Sequence, residues 1–198
     1  MIRLEPNRDR YAKKILDTQI MLSATPLNQL KTLIHVRNTL MQSQSIEELV
    51  EKALERIREE LDVQVASIFL FSKDGVIERV GINGFDKNGK PIDNSWFPEN
   101  KYEPGASFSG RTIPKTDSKS SFGEPQWSND HLNDYQMDKT AKAPYLDKLG
   151  NLQSGIAVPL NDRHKTFGIL EVLNKQGGKE FSSEDVYGLG DCSFFYCT

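Results

Sequence analysis

The stretch from Gly105 to Thr112 holds the first residues whose type and spacing could do chemistry. Gly105 and Gly110 lie five positions apart, as in a nucleotide-triphosphate loop, but Arg111 stands where that loop carries lysine and no buried strand precedes it. A weaker prediction remains: Ser107 or Ser109 caps a short helix whose exposed N–H groups, with Arg111 nearby, attract an anion. In the alternative interpretation the glycines only make a turn and the serine only caps.

Other sets of reactive residue types predict neither a metal site nor a catalytic one. His35, His131 and His164 lie in unrelated settings, and none has a second ligand at zinc-site spacing. The acceptor-rich run from Asn129 to Asp134 lacks the alternation and the closing glutamate of a calcium loop. No strained Gly-x-Ser-x-Gly turn is present. A hydrolase is therefore not predicted.

Regular elements must position these residues, and the first of them are well marked. Ser45 and Glu48 have the spacing of a capping box, and apolar residues then recur at three- and four-residue intervals up to Leu61, which predicts an amphipathic helix. Apolar residues on both faces between Val63 and Phe71 predict a central strand. The Asp74-Gly75 dipeptide that follows predicts a tight hairpin.

The remaining elements complete an α+β pattern. A second hairpin is predicted from Ser154 to Asn174, and Ser182 or Ser183 is expected to cap a closing helix. No single period holds between Asn83 and Leu149, where we expect only a short strand near Pro125 to Ser128 and a helix near Met137 to Leu149. Two further helices are predicted before Ser45, from Asn7 to Leu22 and from Leu27 to Met41. Helices at both ends of an antiparallel sheet predict an α+β domain.

Composition limits the partners. The chain has 198 residues, a formal net charge of −3 and a pI near 5.7, which argue against nucleic-acid binding. No apolar run is long enough to span a bilayer and no signal-peptide core is present, so we expect no membrane partner and a cytoplasmic location. Cys192 and Cys197 are the only cysteines and lie too near the end to staple a fold.

The C-terminal hairpin carries a family resemblance. The segments from Ser154 to Leu160 and from Phe167 to Lys175, followed by Phe181 and Asp185, resemble the C-terminal half of a GAF domain. Asn174, Lys175, Phe181 and Asp185 are similar to four of the five positions of the Asn-Lys, Phe, Asp-Glu signature of the cyclic-nucleotide-binding GAF domains of phosphodiesterases and bacterial adenylyl cyclases. Val186 replaces the final glutamate of that signature.

The resemblance covers about Leu27 to Leu189 and implies a fold and a ligand. It implies an antiparallel sheet of about five or six strands, with the terminal helices on one face and a ligand pocket under a mixed loop and helix segment on the other. Cyclic AMP or cyclic GMP is the implied ligand, and no cofactor is required. The implied ligand-binding residues are Ser107, Phe108, Ser109, Gly110, Arg111, Thr112, Trp127, Asn129 and Asp130.

The four signature residues have two possible roles. They could contact the ligand, or they could support the pocket from outside. In the second interpretation Asp185 closes a capping box with Ser182, and Lys175 pairs with Asp185 to tie a strand to the last helix. Phe181 would then fill core.

The expected function is a sensory, non-catalytic small-molecule-binding domain that signals through its terminal helices in a homodimer. Residues 1–26 form a helical appendage, residues 27–190 the domain and residues 191–198 a tail. The dimer would bury a stripe containing Leu30, Leu33, Ile34 and Met41. The resemblance implies an output domain after the last helix, and the apolar tail predicts a partner protein. The alternatives are a structural dimerisation module without ligand and an enzyme resembling free methionine sulfoxide reductases, whose thiolates only Cys192 and Cys197 could supply.

Overall fold

A computed structural model describes residues 45–71, 75–93, 95, 101–102, 104–105, 107–113, 122–130, 133, 145–161 and 164–191. The predicted helices from Asn7 to Leu22 and from Leu27 to Met41, the dimer stripe and both cysteines lie outside these residues. In the described ranges no helix is both long and apolar enough to cross a bilayer.

The described residues form a six-stranded sheet with one long helix before the first strand and another helix after the last. The sheet order is β3-β2-β1-β6-β5-β4, and every neighbouring pair is antiparallel. The elements are α1 (Ile46–Leu61), β1 (Val63–Phe71), β2 (Ile77–Gly84), β3 (Lys101–Tyr102), α2 (Ser107–Gly110), β4 (Gln126–Ser128), β5 (Gly155–Asn161), β6 (Thr166–Lys175), a 3₁₀ turn (Gln176–Gly178) and α3 (Ser183–Asp191). Residues 145–149 are also helical.

Local signals account for most of these boundaries. The Ser45 side chain accepts the backbone N–H of Glu48 at 3.2 Å, which confirms the N-cap of α1. That helix ends at Asp62, whose left-handed backbone (φ 53°) turns the chain directly into β1. Both predicted strand pairings are confirmed, because β1 pairs with β2 and β5 pairs with β6. The first connection is longer than the tight turn predicted from Asp74-Gly75, since five residues separate the paired Phe71 and Ile77.

The two faces of the sheet have different covers. On the helix-covered face, α1 and α3 pack residues such as Leu54, Ile57 and Leu189 against strand residues such as Ile68 and Val172. The opposite face is covered by α2 and by residues 113 and 145–149, and we call it the roofed face. The predicted arrangement of terminal helices on one face and a mixed segment on the other is therefore confirmed.

Candidate functional site

A row of polar side chains crosses the roofed face. On β6, Glu171 lies between Ile169 and Leu173, which belong to two separate apolar clusters. Ser67 of β1 is directly opposite Glu171 in the sheet register. Arg79 of β2 lies beyond β1, with its guanidinium carbon 5.3 Å from the centroid of the Phe69 ring. The row divides the apolar surface of this face into its two clusters.

The two charged groups of the row are buried and bonded to the roof. Arg79 is 4 % exposed and Glu171 is 5 % exposed. From the roof, the hydroxyl of Ser109 donates to Glu171 Oε1, while Arg79 Nη2 donates to the hydroxyl of Tyr145 at 3.2 Å. Because a charged group in a core is costly unless it is bonded, this cluster is an unusual feature of an otherwise apolar layer.

Glu171 carries the one carboxyl group of the row. Its Oε2 atom is buried and has no hydrogen-bond partner among the described residues. Burial raises the pKa of Glu171, and the hydrogen bond from Ser109 and the charge of Arg79 only partly offset that effect. A buried carboxyl with an unused oxygen and a shifted pKa makes Glu171 the candidate functional group of this face.

The predicted residues of α2 form one side of this roof. Ser107 has a positive φ of 60°, and its hydroxyl accepts the backbone N–H of Gly110 at 3.2 Å. Phe108 and Thr112 are buried, and Phe108 packs in the cluster that contains Phe69. Capping therefore explains Ser107, whereas Ser109 is bonded to the strand carboxyl.

Arg111 directly follows α2, and its side chain contacts residues of that helix. Its Nε atom donates to the Ser107 carbonyl at 3.2 Å, and its guanidinium carbon lies 5.6 Å from the centroid of the Phe108 ring. The structure therefore brings Ser107, Phe108, Ser109 and Arg111 together over the roofed face.

Trp127, Asn129 and Asp130 lie elsewhere. Trp127 is paired with Ile156, whose side chain belongs to the helix-covered core, so Trp127 lies on that face and is 48 % exposed. Asn129 bonds twice to the backbone of Phe181, at 3.0 Å and 2.8 Å. Asp130 is exposed and accepts a hydrogen bond from Asn133. The structure does not bring these three residues to the polar row.

Asn174, at the end of β6, connects several chain segments through its side-chain hydrogen bonds. It has a left-handed backbone (φ 56°) and is buried. Its Nδ2 atom donates to Gln64 Oε1 at 2.7 Å and to Asn151, and its Oδ1 atom accepts the Gln153 N–H at 2.9 Å. In the described structure its side chain holds strand ends together.

Lys175, Phe181 and Asp185 form a latch between β6 and α3. Lys175 Nζ is 2.5 Å from Asp185 Oδ2 and 5.5 Å from the centroid of the Phe181 ring. Asp185 also accepts the Ser182 N–H at 2.7 Å, and the Ser182 hydroxyl accepts the Asp185 N–H at 3.2 Å. The capping box and the strand-to-helix pair are therefore confirmed, and Phe181 is core.

Electrostatics of the latch follow from these contacts. Burial alone would raise the pKa of Asp185, but the hydrogen bonds from Lys175 and Ser182 and the positive charge of Lys175 together lower it. The carboxylate form is therefore the one that holds the latch closed.

Sequence reasoning missed Arg79, Tyr145 and Glu171. A signal for Glu171 was present, because it is a single charged residue inside the apolar run of β6. Arg79 and Tyr145 carried no such signal, since their roles depend on strand register and on a roof contact. No group of three or more His, Cys, Asp or Glu residues that could hold a metal occurs in the described part of the chain.

An antiparallel sheet with helices on one face and a roof over a polar row on the other defines an α+β module. The family model for the GAF domain matches residues 45–193, and the chain belongs to that family. A search of curated proteins gave no significant match.

Several solved structures share the fold. The GAF domain from a phosphoenolpyruvate-protein phosphotransferase of Coxiella burnetii is 15% identical, with a TM-score of 0.60, covering 85% of this chain and 89% of that one. The corresponding Acinetobacter domain is 16% identical, with a TM-score of 0.56 and coverage of 83% and 89%. A free methionine-R-sulfoxide reductase from Neisseria meningitidis, in complex with its substrate, is 12% identical, with a TM-score of 0.57 and coverage of 86% and 87%.

Proposed function

We propose that this GAF domain is a non-catalytic sensory module that binds a small molecule on its roofed face. GAF domains are generally small-molecule-binding regulatory modules, and this chain belongs to the family. The observation that supports the proposal most is the unused, buried Oε2 of Glu171 inside a polar row between two apolar clusters. A few placed polar groups in an apolar setting are the usual make-up of a ligand site.

The chemistry of the row specifies the ligand in part. An ionised Glu171 accepts hydrogen bonds, so the ligand presents an N–H or O–H group to Oε2. Both adenine and guanine carry such donors, which keeps cyclic AMP and cyclic GMP as the first ligands to test. Ser109 orients the carboxyl from the roof, and the neighbouring residues of α2 complete that side of the site.

Isothermal titration of the full chain with cyclic AMP and cyclic GMP tests this proposal. We expect binding heat with one of them, and a loss of about tenfold or more in affinity for Glu171→Gln, since a hydrogen bond to a charged group contributes about 1.5–3 kcal/mol. Glu180→Gln removes the same charge at an exposed position and should bind like the wild type. Absence of heat with both nucleotides, while the protein stays folded, would exclude them as ligands.

The response is proposed to pass through the terminal helices of a homodimer. The latch supports this route, because Lys175, at the end of the strand that carries Glu171, is bonded to Asp185 in the first turn of α3. Light scattering on a sizing column should give twice the chain mass of 22.4 kDa. A monomeric mass, at concentrations where binding is seen, would contradict the dimer.

An enzymatic alternative comes from the reductases that share the fold. Reduction of a sulfoxide by this route needs a thiolate, and the chain has only Cys192 and Cys197. Under the sensory proposal, free methionine sulfoxide is not turned over by the wild type or by the Cys192→Ser and Cys197→Ser variants. Turnover that either substitution abolishes would replace the sensory proposal with the enzymatic one.

A further inference from the structure

A second concave surface lies at one end of the sheet, away from the polar row. It has a volume of about 1000 Å³, and we call it the end groove. Its walls come from the end of α1, the start of β1, residues 85–89, residues 149–153 and the end of β6 with the turn that follows. Glu171, Arg79 and Ser109 are not among its lining residues.

The floor of the end groove is held by its own amides. Gln64 Nε2 donates to the carbonyls of Phe85 at 3.1 Å and Leu149 at 3.3 Å, and Gln64 Oε1 accepts from Asn174. These bonds join three walls of the groove, so its shape does not depend on a ligand. Because these amides are already bonded, a ligand would be recognised by the charged and aromatic side chains that line the groove, which we call its rim.

Three acidic side chains line the end groove: Glu59, which is exposed and lies 3.6 Å from Arg58, and Asp62 and Asp86, which are already bonded. Asp86 accepts the backbone N–H groups of Asn88 at 2.7 Å and Lys90 at 2.8 Å. Asp62 Oδ2 lies 3.4 Å from Lys179 Nζ. Asp62 and Asp86 are therefore already engaged by their own neighbours.

The cationic groups of the rim are held more loosely. Arg58 Nε is anchored on Asn83 Oδ1 at 2.9 Å, but its Nη2 atom is 3.6 Å from Glu59, beyond hydrogen-bond range. Among the described residues its terminal nitrogens have no hydrogen-bond partner. Lys87 Nζ is 3.9 Å from Asp147, a similarly loose pair.

An aromatic surface adjoins these cations. The Phe85 ring is 38 % exposed, and the Arg58 guanidinium carbon lies 4.9 Å from its centroid. A guanidinium fixed by a ring and by a side-chain acceptor loses little further entropy when it binds a carboxylate or phosphate. The rim therefore combines a positioned guanidinium, a second cation and an exposed ring.

We propose that the end groove is a second ligand site, for a small planar anion whose carboxylate or phosphate binds Arg58 and Lys87 and whose ring packs beside Phe85. The groove is also lined by Lys175, the strand partner in the latch, so a ligand there lies next to the contact that positions α3.

The test is a two-dimensional amide NMR titration of the full chain with benzoate, phenyl phosphate and the neutral benzamide. We expect saturable shifts at groove residues with an anion, in the millimolar range typical of fragments of this size. Benzamide should bind about tenfold more weakly, because it lacks the charge-assisted bonds. The anion that binds more tightly shows whether the groove prefers a carboxylate or a phosphate.

Arginine variants of α1 provide the matched comparison. Arg58→Ala should weaken anion binding about tenfold, whereas Arg56→Ala, which removes an exposed ion pair with Glu60 on the same helix, should leave binding unchanged. Lys87→Ala is the second variant, used if Arg58→Ala does not fold. Equal binding of benzamide, equal effects of the two arginine variants, or no saturable shift at groove residues with any probe would overturn the proposal.

Discussion

The two faces of the sheet are built on different principles. The helix-covered face buries an unbroken set of apolar side chains from α1, α3 and the strands, and Leu54 and Ile57 are fully buried there. The roofed face has two smaller apolar clusters, separated by a row that contains Arg79 and Glu171. One face is optimised for packing, and the other carries charged groups that packing alone would not select.

Under the proposed function, this difference separates the residues that stabilise the fold from those that bind the ligand. Apolar burial contributes about 25 cal/mol per Å² without directional requirements, so the helix-covered face stabilises the fold through area. A buried carboxyl with an unused oxygen lowers the stability of the ligand-free protein and is retained where function requires it. The latch of Lys175 and Asp185 lies at the junction of β6 with α3 and so connects the two layers.

The largest loss of stability is expected from a substitution on the helix-covered face. Leu54→Ala removes a fully buried side chain from the interface of α1 with the sheet and should lower the free energy of unfolding by about 2–5 kcal/mol. Urea denaturation measures this change, with exposed Glu55→Ala as the control, expected within about 0.5 kcal/mol. If Leu54→Ala lost no more stability than the control, the claim that this face stabilises the fold by apolar burial would be contradicted.

A smaller loss is expected on the roofed face. Ser109→Ala leaves both oxygens of Glu171 without a described partner and should lower stability by about 1–3 kcal/mol at neutral pH. Because that hydrogen bond lowers the pKa of Glu171, its removal should raise the pKa further. The deficit should therefore shrink as the pH falls and Glu171 is protonated. A deficit independent of pH, or one matched by exposed Ser183→Ala, would contradict this assignment.

Asn129 tests whether a predicted ligand residue has a structural role. Asn129→Ala removes both hydrogen bonds to the Phe181 backbone and should cost about 1–2 kcal/mol of unfolding free energy. Asp130→Ala, at the next and exposed position, should cost less than about 0.5 kcal/mol. Thermal unfolding of both variants measures this difference. Unchanged stability of Asn129→Ala with weakened ligand binding would return Asn129 to the ligand site.

The smallest change in stability is expected from the ion pair of the latch. A double-mutant cycle with Lys175→Met and Asp185→Asn should yield a coupling of about 0.5–1 kcal/mol, since the pair is only partly buried. The lowered pKa of Asp185 means that its contribution is present above its ordinary value of 3.8 and is lost as the pH falls through the lowered pKa. Urea unfolding at neutral and acid pH measures both effects. Coupling that is zero at neutral pH would show that the latch does not join strand to helix.

Local signals made much of the fold predictable. The cap at Ser45, the strand period of β1, both hairpins and the box of Ser182 with Asp185 depend on residues a few positions apart. Such short-range preferences can be recognised directly in a sequence.

The polar row could not be predicted in the same way. Glu171 meets Ser67 through strand register, and Ser109 reaches it from a segment without any regular period. Under simple alternation, a lone glutamate in a strand is assigned to solvent. The positive φ of Asn174 likewise depends on the tertiary structure and not on a local sequence pattern.

The most direct test of the central claim is the free energy of unfolding of wild type and Glu171→Gln, measured in urea across the pH range. Since burial raises the pKa of Glu171 in the folded state, wild-type stability should fall relative to the variant as the pH rises from about 4.5 through that raised pKa. We expect Glu171→Gln to be as stable as the wild type or more stable at neutral pH, while losing ligand affinity. A variant less stable than the wild type at neutral pH by more than about 2 kcal/mol would show that the ionised carboxylate is a structural partner of Arg79, and would contradict the account.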